Sequence, residues 1–287
     1  MIVDLWHAAA SVGRPGPTER YCERLLTPED RKRADRFRRE TTRNQHVIGR
    51  GMARRVVARG GISPHSLTYD DHVEGKPRFR CPRTASMLTD FNVSHTEGLV
   101  VCGRLRRSEA TPPKPSPMIG VDVEPANRRV DLDLAQRYFA EPEIAHVRGQ
   151  PDEAQGRAAF LKIWTLKESF IKAIGTGMRT PLDAFSFFDI DSERPSIDYL
   201  DDSLGDRIDD QRTIFATDWH FRCLAPRPGF VAAIAVHGSR RRWEPNADAL
   251  RLRLKNFDRL AQLATRWGVT VADAAPEATR EQPDDLR

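Results

Sequence analysis

A proline-rich segment, residues 108–117 (SEATPPKPSP), forms a natural boundary within this 287-residue chain. Proline fixes its own backbone angle and donates no backbone hydrogen bond, so the segment favours an extended linker over a helix or a central strand. Strand-like runs flank it, Leu99–Leu105 before it and Met118–Glu124 after it. We therefore predict an N-terminal half at residues 1–107 and a C-terminal half at residues 118–239.

The N-terminal half alternates strand-like and helix-like patterns, which is typical of an α+β fold. Its start, Met1–His7, is rich in strand-forming residues. A helix is predicted from Pro28, with Thr27 as its N-cap, because proline suits the first helical position. A second helix is predicted from Thr42, with Gln45 as its capping-box partner.

The C-terminal half shows the same alternation. Residues 154–174 predict a long helix that ends before Gly175. An acidic stretch, Asp189–Asp210, is predicted to be mobile. The strands of this half are predicted at residues 184–190, 213–224 and 229–237.

The tail at residues 240–287 differs in composition and is predicted to be a helical, partly disordered extension. Apolar residues at spacings of three and four predict an amphipathic helix at residues 247–266. From Ala272 onward the tail lacks aromatic residues, which favours disorder. The helix either packs on its own half or mediates oligomerisation, and the first is the commoner role of such a stripe.

Composition excludes several classes of protein. Hydrophobic residues make up 39% of the chain, enough for a core, which argues against a wholly disordered protein. Glycine and proline, 18 and 20 residues, show no period, which excludes a collagen-like chain. The net charge of +5 is modest for a nucleic-acid binder but favours an anionic substrate.

Three features predict a cytoplasmic protein without a membrane span. No apolar run approaches the ~20 residues of a membrane helix, and the longest, Phe230–Val236, has the length of a strand. Asp4 and His7 interrupt the apolar start, which argues against a secretory signal. The four cysteines contain no C-x-x-C pair, so we expect reduced thiols rather than a zinc site.

The segment GVDVE, residues 120–124, carries two acidic residues on a predicted strand. Side chains two apart face the same way, so Asp122 and Glu124 project together. Two adjacent carboxylates repel unless a cation lies between them or one is protonated. Oxygen ligands favour Mg²⁺ over Zn²⁺. A solvated strand face with two acids explains the segment equally well.

The segment at residues 160–177, most of which lies in the predicted long helix, adds a third carboxylate. Trp164, Glu168 and Lys172 are four apart and share one face. Glu168 completes a possible three-carboxylate metal site, while Lys172 and Lys167 are candidates for neutralising phosphate. The alternative is an ordinary Glu–Lys pair on a helix surface, worth a few tenths of a kcal/mol.

Two shorter segments contain further polar candidates. Ser94 and His95 precede the strand that begins at Leu99, and phosphate recognition suits them better than nucleophilic catalysis, because adjacent side chains rarely face each other. The alternative is a turn that leads into that strand. Lys76 precedes Pro77, which keeps its backbone extended. A surface turn explains that segment as well.

Four segments in a fixed order carry a resemblance to a known family. The sequence resembles the 4′-phosphopantetheinyl transferase superfamily, in particular its longer type, which activates peptide and polyketide synthetases. The similarity covers about residues 1–238 and leaves out the tail. The segments are GKPRF (75–79), FNVSHT (91–96), IGVDVE (119–124) and WTLKESFIKAIGTG (164–177).

The resemblance implies a reaction and an architecture. The phosphopantetheine arm of coenzyme A is transferred to a serine of an apo acyl or peptidyl carrier protein, and adenosine 3′,5′-bisphosphate is released. The implied fold is α+β, with two halves related by a pseudo-twofold, each an antiparallel sheet packed with a long helix. Coenzyme A lies in the cleft between them. A monomer is expected, and the class of carrier stays open.

The resemblance also implies roles for the acidic residues. Asp122, Glu124 and Glu168 hold Mg²⁺ against the diphosphate, and Lys172 steadies the same phosphates. Either Glu168 or Glu143 removes the proton from the carrier serine, directly or through water.

The remaining implied residues contact coenzyme A. Relatives often carry a basic residue at the position of Asp30, so the contacts to the 3′-phosphate are the part of the resemblance that this chain supports least. The implied contact residues are Arg33, His46, Arg54, Lys76, Pro77, Ser94, His95, Lys167 and Lys172.

A non-enzymatic binding module is the alternative function. Residues 29–59 contain eleven lysines and arginines against four acids, which suits a basic face for nucleic acid or an acidic protein. This alternative leaves the clustered carboxylates unexplained. The same basic face also suits electrostatic steering of an acidic carrier protein.

Overall fold

The computed structural model describes residues 2–58, 62–70, 76–80, 89–106, 117–201, 203–208, 214–238 and 250–266. The N-terminal half contains β1 (Ile2–Ala9), α1 (Pro17–Glu23), α2 (Pro28–Ala34), α3 (Glu40–Val57), β2 (Thr68–Asp70), β3 (Arg78–Arg80), β4 (Phe91–Thr96) and β5 (Leu99–Arg106). The C-terminal half contains β6 (Ile119–Pro125), α4 (Leu134–Tyr138), α5 (Glu141–Arg148), α6 (Glu153–Ile174), β7 (Phe185–Phe188), β8 (Ser196–Tyr199), α7 (Leu204–Ile208), β9 (Trp219–Leu224) and β10 (Phe230–His237). The tail contributes β11 (Arg251–Asn256) and α8 (Phe257–Arg266).

The two halves repeat one topology. In each, a strand leads to a long helix, then to a two-stranded ribbon, then to an antiparallel hairpin. The last strand of the hairpin lies in the middle of the sheet, giving the orders β1-β5-β4 and β6-β10-β9. The prediction of an α+β fold with two similar halves, each an antiparallel sheet with a long helix, is confirmed.

A shared core lies between the two sheets. Strand side chains alternate between faces, so Val3 and Leu5 of β1 point inward, while Trp6 points toward the helical layer. The inward residues of the first sheet pack against those of the second, such as Val121 and Ile234. Because β6 buries its odd-numbered residues here, its even-numbered residues face α6.

Side chains from the start of β4 bind the backbone of β6. The Asp90 carboxylate accepts a hydrogen bond from the Ile119 amide at 2.7 Å, and the Asn92 carbonyl oxygen accepts one from the Val121 amide at 2.9 Å. One edge of β6 pairs with β10, so these bonds satisfy amides on its other edge. The two halves are thereby held in register at the strand that carries Asp122 and Glu124.

The tail differs from the predicted single helix at residues 247–266. Its first part is β11, which pairs in parallel with β1, and only the second part is helical. Leu252 and Leu254 alternate with Arg251 and Arg253, which is the period of a strand. The leucines also fit a helical spacing, which is why a helix was predicted there. The prediction was wrong for this first element, which is a strand. The described part of the tail packs on the N-terminal half, as the commoner alternative held.

Asp258, at the start of α8, joins the tail to both halves. Its carboxylate accepts hydrogen bonds from the Ala9 amide at 3.0 Å and the Thr18 hydroxyl at 2.7 Å. It also pairs with Arg227, which lies between β9 and β10 and donates to His7 Nδ1 at 2.8 Å. Residues 250–266 are therefore an integral part of the folded chain.

Several predicted boundaries were wrong. Helix α3 begins at Glu40, and Gln45 does not cap it but donates to the Thr96 carbonyl oxygen at 2.7 Å. The acidic stretch at residues 189–210 contains β8 and α7, and β9 begins at Trp219 because a short 3₁₀ turn precedes it. Most of the proline-rich segment, the tail from Ala272 and Cys81 lie outside the described residues.

The cap of α2 follows the prediction. Thr27 accepts a hydrogen bond from the Asp30 amide at 3.3 Å, and the Asp30 carboxylate accepts one from the Thr27 amide at 3.3 Å. In the part of the chain that the structure describes, no helix is both long and apolar enough to cross a membrane.

Candidate active site

Three of the motifs meet where β4, β6 and α6 come together. Ser94 lies within β4 and precedes β5, so the alternative of a turn at this segment does not hold. Its hydroxyl donates to Asp122 Oδ1 at 2.9 Å. Lys172, from α6, lies 2.5 Å from the same carboxylate oxygen and donates to the Ser94 hydroxyl at 3.1 Å. The structure thus joins residues 94, 122 and 172 into one hydrogen-bonded cluster.

Two further carboxylates lie within electrostatic reach of this cluster. Burial raises the pKa of Glu168, and Lys172 opposes this rise while Asp122 adds to it. Burial also raises the pKa of Glu124, where Arg128 opposes the rise and Asp122 adds to it. Glu124 lies two residues from Asp122 on β6, and Glu168 lies on α6, which contacts β6 at Gly120, so both acids lie on elements packed beside Asp122.

The donor set fits a hard divalent cation. Carboxylate oxygens are the ligands that Mg²⁺ prefers, and Asp122 Oδ2 is buried without a hydrogen-bond partner among the described residues. In the side-chain positions of this structure, however, no three described His, Cys, Asp or Glu side chains converge closely enough to hold a metal ion. Asp122 faces Lys172, and Glu124 faces Arg128. A cation bridging these acids would require the two basic side chains to move.

His95 follows Ser94 on β4 and keeps solvent exposure. The desolvated part of its ring, together with the positive charge of Lys172, lowers its pKa, and Asp122 opposes this. An uncharged imidazole that senses Lys172 and Asp122 is placed to hydrogen-bond an anion at the rim of the cluster.

A second basic group surrounds His46 on α3. Its ring packs against Phe37 with 5.1 Å between centroids, and its Nε2 is buried without a partner among the described residues. Burial, together with the charges of Arg50 and Arg33, lowers the pKa of His46 to about 4. The structure therefore places the predicted pair Arg33 and His46 near each other.

The lowered pKa of His46 predicts a loss of stability in mild acid. Its ordinary value is 6.5, so between pH 6.5 and about 4 the unfolded chain binds a proton that the folded chain excludes. We expect the free energy of unfolding to fall by about 2 kcal/mol across this window. Urea titrations at several pH values measure this, with His46→Gln as the comparison. A variant profile as steep as that of the native chain would contradict the assignment.

Arg54 has a structural role, which corrects its prediction as a coenzyme A contact. Its guanidinium is buried, lies 2.5 Å from the Asp30 carboxylate and donates to the carbonyl oxygens of Pro64 and Leu67 at 2.9 Å. Asp30 also pairs with Arg50 at 3.1 Å. An acid at position 30 therefore balances two buried arginines, which explains why a basic residue is absent there.

Lys76 is likewise held inside the fold rather than free for phosphate. Its ammonium pairs with the Asp90 carboxylate and donates to the Ile119 carbonyl oxygen, and 4% of its side chain is exposed. Burial lowers its pKa, and Asp90 opposes this. The adjacent Pro77 is half-buried. The prediction that Lys76 contacts the nucleotide does not fit these partners.

Glu143 and Lys167 form a fully buried ion pair at 2.8 Å. The carboxylate also accepts hydrogen bonds from the amides of Ala140 and Phe187, each at 2.9 Å. The ammonium donates further to two backbone carbonyl oxygens. With both groups satisfied and inaccessible, the predictions of Glu143 as a base and Lys167 as a phosphate contact do not fit this structure.

Sequence reasoning missed Arg50 and Arg128. The Arg50 guanidinium stacks over the Tyr69 ring at 3.3 Å, close to His46. Arg128 pairs with Glu124 from a turn. Each lies four residues after a predicted site residue, and that spacing was the available signal.

Comparisons with known proteins bear on this arrangement. A family model described as "4′-phosphopantetheinyl transferase superfamily" matches residues 118–235, and one described as "4′-phosphopantetheinyl transferase, N-terminal" matches residues 17–104. The two ranges together span most of the chain. This chain belongs to the 4′-phosphopantetheinyl transferase superfamily. Asp122, Glu124 and Glu168 lie in the range of the first family model, and His46 lies in the range of the second.

Individual members of the superfamily are similar over about half of this chain. A 4′-phosphopantetheinyl transferase of Bacillus subtilis is 30% identical over 56% of this chain and 65% of its own. The HetI transferase of a Nostoc strain is 32% identical over 53% and 61%. The Sfp transferase of Bacillus subtilis strain 168 is 28% identical over 56% and 66%.

The matches to all three of these relatives span less than two thirds of the relative's length. Among solved structures, the holo-[acyl-carrier-protein] synthase of Thermotoga maritima matches 43% of this chain and 64% of its own, with 21% identity and a TM-score of 0.33.

Proposed function

We propose that this chain transfers the 4′-phosphopantetheine arm of coenzyme A to a serine of an apo carrier protein. In this reaction the serine oxygen forms a bond to the β-phosphorus of coenzyme A, and the bond to the leaving adenosine 3′,5′-bisphosphate breaks. The observation that supports it best is the hydrogen-bonded cluster of Asp122, Ser94 and Lys172 in a member of this superfamily, with Glu124 and Glu168 within electrostatic reach of Asp122.

We assign Asp122, Glu124 and Glu168 as the residues that hold Mg²⁺. The donor chemistry supports this, since all three offer carboxylate oxygens and one oxygen of Asp122 has no partner among the described residues. When bound, the ion offsets the negative charge of the diphosphate and polarises it.

Phosphoryl transfer needs positioning and charge neutralisation more than covalent help from the enzyme. Lys172 supplies a positive charge at the cluster, and Ser94 and His95 supply hydrogen-bonding groups beside it. Arg33 and His46 are the groups proposed for the 3′-phosphate, because their mutual proximity leaves an uncharged imidazole next to a guanidinium.

Glu168 is the better candidate for the base that accepts the serine proton, directly or through a water. It lies on the cluster side of α6, and burial raises its pKa, which makes its carboxylate a stronger proton acceptor. Glu143 has both oxygens engaged by Lys167 and two backbone amides. The nucleophile belongs to the substrate, so Ser94 is not needed in that role.

The alternative of a basic binding module receives less support. Arg50, Arg54 and Arg55 of the basic stretch are buried in the folded chain and add nothing to an exposed face. The exposed arginines and lysine of α2 still suit electrostatic steering of an acidic carrier. A monomeric state and a cytoplasmic setting stay predictions from the sequence.

A direct test mixes the full chain with coenzyme A, Mg²⁺ and a panel of apo carriers from fatty-acid, polyketide and peptide synthesis. We expect at least one carrier to gain the mass of the phosphopantetheine arm on its serine, with loss of the reaction when a chelator removes the metal. Intact-protein mass spectrometry measures the gain, and a Ser→Ala carrier is the control. No gain on any carrier would contradict the proposed function.

A further inference from the structure

Arg128 lies directly against one of the proposed metal ligands. Its guanidinium forms a hydrogen-bonded ion pair with Glu124 Oε1. The turn that follows β6 brings it there, since the Arg128 amide donates to the Pro125 carbonyl oxygen at 3.0 Å. The Ala126 amide donates to the Gly229 carbonyl oxygen at 2.8 Å, which anchors the same turn to β10. The backbone hydrogen bonds of this turn therefore hold Arg128 close to Glu124.

The two acids of β6 are each matched by one basic side chain. Lys172 pairs with Asp122 and also bonds Ser94, and it reaches the cluster from the rigid helix α6. Arg128 pairs with Glu124 from a turn, and 44% of its side chain is exposed against 15% for Glu124. Arg128 is thus the partner that can leave for solvent at low cost, because an ion pair with an exposed member contributes little to stability.

We propose that Arg128 is an intramolecular competitor of the divalent cation at Glu124, and that it sets the affinity of the site for metal. This rests on the proposed function, which assigns Glu124 as a metal ligand. Arg128 occupies one of the two oxygens of this carboxylate and places a positive charge beside it, so a cation that binds Glu124 loses a ligand oxygen and is repelled by the guanidinium. In the metal-free chain, Arg128 also relieves the repulsion of Glu124 by Asp122.

The test measures metal binding by the full chain without coenzyme A or carrier. Mn²⁺ is the probe, since carboxylate sites for Mg²⁺ accept it and free Mn²⁺ is counted by electron paramagnetic resonance. We expect Arg128→Ala to tighten Mn²⁺ binding about two- to fivefold, the effect of losing one exposed ion pair. Arg129→Ala is the matched control, because it removes the same charge from the neighbouring exposed position. It should leave the dissociation constant unchanged.

Equal binding by Arg128→Ala and Arg129→Ala would overturn the inference, since the effect would then be one of general charge. Weaker binding by Arg128→Ala would also overturn it, because Arg128 would then support the site. Asp122→Asn separates this inference from the proposed function. If that variant binds Mn²⁺ as the native chain does, or if the native chain binds none, the metal assignment fails and the inference with it. If it loses Mn²⁺ while Arg128→Ala has no effect, only the inference fails.

Discussion

Replacing Asp122 by asparagine is expected to lower the rate of phosphopantetheine transfer about a thousandfold while leaving the fold intact. The substitution preserves the size of the side chain, and the new amide oxygen still accepts the hydrogen bond from Ser94. What disappears is the negative charge that Lys172 and the proposed metal share. Lys172 is 29% exposed, so it reaches water when its partner is lost.

Single-turnover transfer to a carrier, followed by mass spectrometry, measures the rate, and a urea titration measures the free energy of unfolding. We expect the second to change by less than about 1 kcal/mol. Glu141→Gln is the control, because it removes a carboxylate that lies exposed in the first turn of α5. Native rates in Asp122→Asn would remove the carboxylate cluster from the mechanism, whatever the control shows.

The core of the candidate site was predictable because its patterns are local. A period of two places Asp122 and Glu124 on one face of a strand, and a spacing of four places Glu168 and Lys172 on one face of a helix. Both relations hold in the structure, where β6 turns its even-numbered residues toward α6. Such periodicities follow from backbone geometry and need no knowledge of distant contacts.

The fate of the other basic residues depended on distant partners. The sequence identifies Lys76, Arg54 and Lys167 as cations. It does not show whether the folded chain brings an acidic side chain into contact with each of them. Each has one: Asp90, Asp30 and Glu143, which lie 14, 24 and 24 positions away in the chain. A buried charge is stable only when it is paired. A cation that is paired inside the fold is therefore not available to bind a ligand.

The tail shows a second limit of local patterns. In residues 250–254, leucines at every second position fit a strand, while Leu250 and Leu254, which are four apart, also fit a helix. The free edge of β1 favours the strand. Pairing with β11 satisfies backbone N–H and C=O groups of β1 that would stay unpaired if residues 251–256 were helical. That edge is formed about 250 residues earlier in the chain.

Gly120→Ala is expected to give the largest loss of stability of any single substitution proposed for this chain. Helix α6 crosses β6 at this glycine, and an added Cβ would lie 1.9 Å from the Ser169 carbonyl oxygen and 2.4 Å from the Ala173 amide nitrogen. Both are backbone atoms, so no side-chain rotation relieves the clash. The helix would have to move away from the strand, at a cost of about 3 kcal/mol or more.

The same movement would carry Glu168 and Lys172 away from Asp122, so transfer should fall together with stability. Urea titration and thermal melting measure the stability, and the fraction of folded protein corrects the measured rate. Gly13→Ala is the matched control, because a Cβ there has no heavy atom within 4 Å. A Gly120→Ala chain as stable as the Gly13→Ala chain would show that α6 does not press on β6. We would then have no evidence that close packing of α6 on β6 positions Glu168 and Lys172 against Asp122.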